Sequence, residues 1–376
     1  MRNLGRSSAA TTAQLGGYGA TAARSTAFAA AGIAGLTATV GVLGAKTIGA
    51  AIEFESSFAG VRKTVDATEP QLEKLEQGFL NLSKSIPVNV NELNRIGEAA
   101  GQLGIKTDAI LGFTDTVAKL GVTTNLTSEQ AADGLARLAN ITQLPQDQFS
   151  NLGSTIVDLG NQFAGTESEI LEFGLRIAGV GNQVGLSEAQ ILGLGTALTS
   201  VGLEAEAGGT AISTTLSLMA KAVATGGKSL QAFGAVAGQS AEQFAESFRN
   251  DPGAAIVAFI EGLRRISDSG GNVFKTLDDL KLGGIRVRDT LLRTAGAADL
   301  VRNAMDAGTK AFADNNALQR EAAVRFSTTE SQLQLFRNNL NAIAIIVGSA
   351  LLPAVNGLVQ GLTGLLGQLS ASGDAA

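Results

Sequence analysis

The sequence contains no cysteine, no histidine and no tryptophan, and only 5 % of its 376 residues are aromatic. Without cysteine the chain cannot form a disulfide, and without cysteine and histidine it cannot build a Cys/His zinc site. A Ser-His-Asp triad and a Cys-His pair are excluded for the same reason. Carboxylate, lysine, hydroxyl or tyrosine chemistry is left, but the sequence alone does not pair such groups. We therefore expect a protein that is not an enzyme, and we name no catalytic, cofactor-binding or metal-binding residue.

The charge is uneven along the chain. The formal net charge is −6, yet residues 1–52 contain no acid and four cations: Arg2, Arg6, Arg24 and Lys46. Residues 1–26 are also rich in Ala, Ser, Thr and Gly, so we expect a flexible basic segment there. The first 52 residues are therefore basic and the rest of the chain is acidic, and any functional hypothesis has to account for this asymmetry.

The apolar residues are mostly Ala, Leu, Ile and Val, and they recur with the spacing of helices. One helix face is predicted by steps of three and four residues through Leu72, Leu75, Phe79, Leu82 and Ile86. Capping boxes predict helix starts at Thr68–Gln71, Thr127–Gln130, Thr166–Glu169, Ser187–Gln190 and Ser240–Gln243. Another start is predicted at Asp251-Pro252. Glycines that suit a left-handed cap predict helix ends at Gly104, Gly121, Gly185 and Gly202.

No run of alternating β-branched residues predicts a strand. The one candidate is "IPVNV" at residues 86–90, which we expect to cross between two helices because Pro87 removes a backbone donor. The predicted fold class is therefore all-α. We expect a multi-helix array punctuated by glycine, with a two-copy helical repeat, flanked by apolar helices.

The repeat is seen at an offset of 81 residues. There "LGIKTDAILGFTDTVAKLG" (103–121) aligns with "VGLSEAQILGLGTALTSVG" (184–202). The matched positions include Arg95-Ile96 with Arg176-Ile177, Gly104 with Gly185, and Gly112 with Gly193. We place the repeat units at residues 91–140 and 172–221. Chance similarity between two glycine-capped amphipathic helices is the alternative.

Two glycine-rich motifs resemble nucleotide-binding loops only in part. "TGGKS" at 225–229 ends like a P-loop, but Ala222 replaces the first glycine and the upstream pattern is helical, where a P-loop needs a strand. We expect Gly226-Gly227 to end that helix, Ser229 to cap the next one and Lys228 to lie in a solvated turn. "GVGNQVG" at 179–185 has the wrong glycine spacing for a dinucleotide fingerprint.

Two uncharged segments resemble membrane helices. Residues 27–45 contain no charge, close to the roughly 20 residues of a span, although a Gly/Ala-rich helix buried against protein is the alternative. No charge occurs from residue 338 to 373, and residues 342–369 are the most apolar stretch of the chain. Pro353 is expected to end or kink a helix at Leu352. One kinked span, a hairpin lying in a membrane and a partner-binding surface remain open for this stretch.

These patterns predict the following organisation of the chain: a flexible basic segment at 1–26, an apolar helix at 27–52, a helical core with both repeat units at 53–225, a second helical region at 226–310, an amphipathic helix at 311–340 and an apolar segment at 341–376.

Arg95 and Arg286 are candidates for a buried charge that fixes a helix pair. A solvated face is the favoured interpretation for both.

Several segments, in order, resemble the tape measure proteins of phage tails. They are "FESSFAGVRKTVDAT" (54–68), "LNRIGEAAGQLGI" (93–105), "SEQAADGLARLANIT" (128–142), "LQAFGAVAGQSAEQFAESFRNDPGAAIVAFIEGLRRI" (230–266), "LKLGGIRVRDTLLRTAG" (280–296) and "STTESQLQLFRNNLNAIAIIVGSALLPAVNGLV" (327–359). Each is a packing pattern rather than a catalytic signature, and it is their order and spacing over about 53–360 that make the likeness specific. The chain is similar to the conserved core of this family.

The resemblance implies a non-enzymatic structural role in the virion. Several copies of such proteins lie along the lumen of the tail tube and set tail length. The implied partners are the tail tube protein, tail assembly chaperones and baseplate or tail tip proteins, without sequence-specific nucleic acid binding. The resemblance also implies synthesis in the bacterial host cytoplasm and contact with the host membrane on ejection, where a basic head favours anionic lipid.

The sequence departs from the family in one respect, because it contains no long heptad tract that would serve as a ruler. Even as one continuous helix the chain would span only about 560 Å at ~1.5 Å per residue. We expect a fragment, a protein of a short tail, or a core without the ruler. The zinc peptidase module of some relatives is excluded by the absence of histidine. A stand-alone helical membrane-inserting protein, such as a toxin or effector, is the alternative that the two apolar segments suggest.

Overall fold

The computed structural model describes the backbone of residues 46–373, with side chains up to residue 363 except at positions 358 and 362. Over this part of the chain 84 % of the residues are helical and no strand occurs, so the all-α prediction is confirmed. The flexible segment expected at 1–26 and most of the apolar helix expected at 27–52 lie outside the described residues.

Seventeen α-helices follow one another in the described residues. The first, α1, covers residues 46–64. The next eight are α2 (Glu69–Ser85), α3 (Val90–Gln102), α4 (Ile110–Thr123), α5 (Ser128–Thr142), α6 (Phe149–Gln162), α7 (Glu167–Val184), α8 (Glu188–Ser200) and α9 (Ala205–Thr225). The last eight are α10 (Gly227–Ala237), α11 (Ala241–Asn250), α12 (Pro252–Asp268), α13 (Val273–Asp279), α14 (Ile285–Gly296), α15 (Ala298–Asp314), α16 (Ala317–Phe326) and α17 (Thr329–Gly373).

The chain divides into two compact units. The larger unit is Ser56–Asn339, and it contains α2 to α16 with the adjoining parts of α1 and α17. The smaller unit joins the chain up to Glu55 to the chain from Leu340 onwards. Its described part consists of the start of α1 and most of α17.

The helix starts follow the sequence signals closely. All five predicted capping boxes are present, at the beginnings of α2, α5, α7, α8 and α11. At the sixth predicted start the carboxylate of Asp251 accepts the backbone N–H of Ala254, and Pro252 is the first residue of α12. Each such cap stabilises a helix by about 1 kcal/mol, so local chemistry sets these boundaries. Residues 86–89 of "IPVNV" cross between α2 and α3, as predicted, and Val90 begins α3.

Three of the four predicted glycine stops are confirmed. Gly104, Gly185 and Gly202 have φ values of 79°, 93° and 72°, the left-handed region that glycine enters without a steric penalty. The prediction for Gly121 is wrong, because α4 continues past it to Thr123. A Cβ at position 121 would lie only 2.7 Å from the hydroxyl of Ser128. This glycine makes room for a neighbouring chain segment instead of ending a helix.

Two predictions for the C-terminal third are wrong. Residues 311–340 do not form one helix, because α15 ends at Asp314 and α16 and α17 follow as separate helices. Asn315 ends α15 with φ at 44°, a conformation that asparagine tolerates better than most residues. Pro353 does not end a helix at Leu352 but lies inside α17. A proline removes only one helical hydrogen bond, here to the carbonyl of Ser349, and the turns on either side continue the helix.

The few aromatic residues fill the core of the larger unit. Phe113 and Phe149 meet edge to face with ring centroids 4.8 Å apart. A second cluster lies further along the chain, where Phe233 packs against Phe244 and Phe259. The largest fully buried side chains include Phe79, Phe113, Phe149, Phe173, Phe233, Phe244 and Phe259. The remaining core volume is filled by aliphatic side chains and alanine.

The helix backbones approach one another closely where α8 meets α15. A Cβ on Gly193 would lie 2.6 Å from the carbonyl oxygen of Ala304, and a Cβ on Gly308 would lie 2.7 Å from that of Ala189. Neither position has room for a side chain. Residues 191–198 of α8 are all buried, so this helix lies at the centre of the larger unit.

The two proposed repeat units contain the same order of elements, α3 to α5 and α7 to α9. Ile96 and Ile177, which are equivalent at the offset of 81 residues, are both buried. The equivalent glycines Gly112 and Gly193 differ, because Gly112 is exposed and a Cβ there would meet nothing within 4 Å. The second unit therefore has a neighbour, α15, at a position where the first has open space.

This difference predicts opposite effects of one substitution at two equivalent positions. Gly193→Ala should destabilise the protein by about 2 kcal/mol, because the methyl group would overlap the backbone of α15. Gly112→Ala should stabilise it by about 0.5–1 kcal/mol, because alanine is the better helix former and the space is open. Chemical denaturation of both variants measures the two changes. Equal effects of the same sign would contradict the α8–α15 contact.

Candidate interaction surface

An uncharged row of exposed aliphatic side chains runs along α17 in the smaller unit. Single exposed aliphatic residues are ordinary, but a contiguous row in a stretch without any charge from residue 338 to 373 is not. We call this row the α17 apolar surface. Its members are 41–59 % exposed, and they are Leu340, Ile343, Ile346, Val347, Leu351 and Val359.

The opposite side of α17 is anchored within the same unit. Ala342 and Ile345 are almost fully buried, at 2 % and 1 % exposure. At Gly348 an added Cβ would run into the carbonyl of Thr47 and would lie 2.8 Å from the Cβ of Ala51, so α1 and α17 touch through their backbones. One face of α17 is therefore held by α1, and the other is left open.

The first turns of α17 belong to the larger unit, where one buried amide holds them. The side-chain Nδ2 of Asn338 donates to the carbonyls of Ser83 at 2.9 Å, Ile86 at 3.3 Å and Val88 at 2.8 Å. In an uninterrupted helix the N–H of residue 87 would bond to the carbonyl of Ser83, but Pro87 has no N–H. Asn338 supplies the missing donor and so fixes α17 to the end of α2.

The sequence analysis placed the apolar stretch at 342–369, and it missed both Asn338 and the start of the exposed row. Leu333 and Phe336, in the larger unit, are already 53 % and 61 % exposed. A signal was present in the steps of three and four residues through Leu333, Phe336, Leu340, Ile343 and Val347. For Asn338 no local signal exists, because its partners lie about 250 residues away in sequence.

The motif "TGGKS" does not form a phosphate-binding loop. The element before it is the helix α9, so the strand that a P-loop requires is not there. Gly226 ends α9 as predicted. Lys228 is exposed, but the prediction that it lies in a turn is wrong, because it belongs to the first turn of α10. The prediction that Ser229 caps the next helix is wrong, because α10 already begins at Gly227. Gly226 and Gly227 both have positive φ values and complete the turn before the serine is reached.

The charged side chains singled out in the sequence are not drawn into a site. Arg95 and Arg286 are both exposed, as the solvated interpretation expects. The raised pKa of Arg264 comes from its hydrogen bond and ion pair with Asp299, at 2.6 Å, on the exterior of α12 and α15. Within the described residues, no group of three or more acidic side chains is arranged to hold a metal ion.

By length and composition, α17 is also the one helix in the described part of the chain that qualifies for crossing a membrane, over Thr329–Gly361. Core helices of soluble proteins can meet the same criterion, but they are mostly buried. Here most of the apolar segment is exposed.

These features define a class of protein: an all-helical chain with an exposed, uncharged apolar row on its last helix. Residues 76–279 match the model of the phage-related minor tail protein family. Because the match covers more than half of the chain, the chain belongs to this family. It is a tail-associated structural protein of the virion that associates with other tail proteins. Among curated proteins, no match to the chain is found.

The open and the anchored face of α17 predict different responses to the same charge. Ile343→Lys should leave the melting temperature nearly unchanged and reduce aggregation and binding to phospholipid vesicles, because Ile343 is 59 % exposed. Ile345→Lys should unfold or strongly destabilise the smaller unit, because this side chain is 1 % exposed and a buried unpaired charge is disfavoured. Thermal melting and vesicle flotation measure both effects. Vesicle binding that is unchanged in Ile343→Lys would argue against the α17 apolar surface.

The amide of Asn338 can be tested against its exposed neighbour. Asn338→Asp should destabilise the larger unit by about 3 kcal/mol, because the carboxylate removes the donors and faces three carbonyls. Asn339→Asp changes the same chemical group on the exposed side of the helix and should have an effect within about 0.5 kcal/mol. Urea denaturation compares the two variants, and similar stabilities would show that the Asn338 hydrogen bonds contribute little.

Proposed function

We propose that this minor tail protein is the core of a tape measure protein, a non-enzymatic component of the tail tube lumen that scaffolds tail assembly and sets tail length. The observation that carries the proposal is α17, a continuous helix of 45 residues that carries no charge from residue 338 onwards and exposes apolar side chains there. The family match over 76–279 and the ordered segments between residues 54 and 359 support the same assignment.

In water, the α17 apolar surface favours association with another molecule that covers it. Each fully buried large aliphatic side chain contributes about 1.5–3 kcal/mol relative to exposure, so six of them favour association strongly. We propose that tail assembly chaperones cover this surface in the host cytoplasm, and that the tail tube protein, baseplate or tail tip proteins and further copies of the chain cover it in the tail.

We further propose that α17 enters the host membrane when the genome is delivered. The 45 residues of α17 span about 67 Å at ~1.5 Å per residue, and the hydrocarbon core of a bilayer needs only about 30 Å. Residues 338–373 contain no charged side chain, so no charge in this part of α17 opposes insertion. A stand-alone toxin or effector would share this property, but it would not need the tail-protein family segments.

Inserted residues are expected to affect the length of the molecule differently in the larger unit and in α17. Helices α2 to α16 fold back on one another, so adding residues to one of their loops need not lengthen the molecule. α17 is extended, and we propose that it lies along the tube and contributes to the ruler.

The prediction is tested in a phage that carries this gene, by electron microscopy of its tails. About 20 helix-forming residues inserted into α17 after Leu351 should lengthen the tails by about 30 Å, the helical rise of the insertion. The same residues inserted in the loop after Ser269, in the compact unit, should leave the length unchanged.

Deleting the gene should abolish tails or make their length irregular. Normal infectious tails after deletion would overturn the tape measure assignment. Irregular tails after deletion, with neither insertion changing the length, would instead restrict the role to scaffolding.

A further inference from the structure

The turn that joins α13 to α14 and the helix positions beside it expose apolar side chains and cations together. Phe274 is 53 % exposed, and Ile285 is 80 % exposed, the highest value of any large apolar side chain in the described part of the chain. Lys281 and Arg286 are exposed as well, and Arg288 is half-buried. We call these five residues the α13–α14 tip.

The apolar and the charged side chains of the tip are neighbours. The guanidinium of Arg288 lies over the ring of Phe274, 5.3 Å from its centroid. Ile285 precedes Arg288 by three residues on α14, so both lie on one face of that helix. Arg286 follows Ile285 directly in the first turn. Two exposed apolar side chains therefore stand beside two guanidinium groups.

The positive charge of the tip is not neutralised by the chain itself. In the described residues none of its three cations forms an ion pair. Of the acids nearby, Asp279 pairs with Lys275 and Asp289 with Arg293, which leaves Asp278. With five cations and three acids, α13, α14 and the turn between them have a net charge of +2 in a chain whose net charge is −6.

The backbone adopts an unfavourable conformation at Lys281. Its φ is 63°, in the left-handed region that favours glycine. The backbone N–H groups of Lys281 and Leu282 donate to the carbonyls of Asp278 and Leu277 at 3.0 and 2.7 Å, the pattern in which a helix normally ends on glycine. A lysine at the glycine position indicates a role for its side chain, which lines a groove together with Arg176.

From these observations we propose that the α13–α14 tip binds the surface of a membrane that contains anionic phospholipid. Phe274 and Ile285 enter the layer between the headgroups, where apolar side chains leave water, and the cations lie at the level of the lipid phosphates. The tip rests on the membrane and does not cross it. The proposal concerns the larger unit, and it depends neither on a role in tail length nor on the entry of α17 into a membrane.

The composition of the tip favours lipid over other partners. A single-stranded nucleic acid would use the cations, but its bases stack on aromatic rings, and the aliphatic side chain of Ile285 offers no such contact. Residues 1–26 of the chain are basic and are repelled by the tip. An anionic membrane surface offers an apolar layer and negative charge within one contact. Because only two apolar side chains enter, the binding is expected to be weak and to decrease with salt.

A fluorophore at the tip tests the proposal on the full chain, since the natural chain contains no cysteine. An environment-sensitive dye on Ile285→Cys should shift to shorter wavelength with vesicles of phosphatidylcholine and phosphatidylglycerol, and much less with phosphatidylcholine alone. Added salt should reverse the shift. The same dye on Ile141→Cys, an exposed isoleucine near the end of α5, should not respond. Because the dye reports only its own surroundings, vesicle binding through α17 is not mistaken for binding through the tip.

Removal of one charge provides a second readout. Arg286→Gln should weaken binding to the anionic vesicles about fivefold, as expected for one cation near an anionic surface, and should leave binding to phosphatidylcholine vesicles unchanged. Lys228→Gln, which removes an exposed charge from α10, should change neither. An Ile285 dye that stays in water with anionic vesicles, an equal response at Ile141, or equal effects of the two charge variants would each overturn the proposal without bearing on α17.

Discussion

The contact between α8 and α15 is the constraint on which the larger unit depends. A chain with so few aromatic residues has little side-chain volume with which to fill space between helices, so the helices themselves have to come together. At Gly193 and Gly308 the backbones of α8 and α15 touch directly. Helices tolerate this contact well, because their N–H and C=O groups are already paired along the helix. The central position of α8, buried along residues 191–198, follows from this close approach.

Glycine has two roles in this fold, and only one of them can be predicted from the sequence. A glycine that ends a helix does so through its own backbone, which enters the left-handed region just after the last helical turn, and Gly104, Gly185 and Gly202 are of this kind. A glycine that admits a neighbouring helix is recognised only by that neighbour, which is distant in sequence. Gly121 is of this second kind, and so is Gly193, whose difference from Gly112 does not follow from their equivalent sequence contexts.

The capping boxes were all predictable because each depends on two residues within one turn. The break at Asn315 was not, because its side chain is held by Ser150, Asn151 and Ser154, about 160 residues away in sequence. The passage of α17 through Pro353 runs against the local preference of proline, which favours a helix end. The same limit applies to α17. Composition shows that the segment is apolar, but it does not show that Ile343 is open and Ile345 is covered. That distinction exists only once α1 lies against one side of α17.

For an apolar helix of this kind, the relevant equilibrium is between alternative apolar partners, and not between water and a single partner. The proposed transfer of α17 from tail proteins to lipid would remove little further apolar surface from water, because both kinds of partner would cover that surface. Only the difference in affinity between the two covers enters the equilibrium. The larger unit need not unfold for such an exchange, since its core is closed around α8, and the buried amide of Asn338 marks the point on α17 up to which the helix is held by that core. A stable core is therefore compatible with the proposed exchange of partners along α17, since that exchange would involve only residues beyond Asn339.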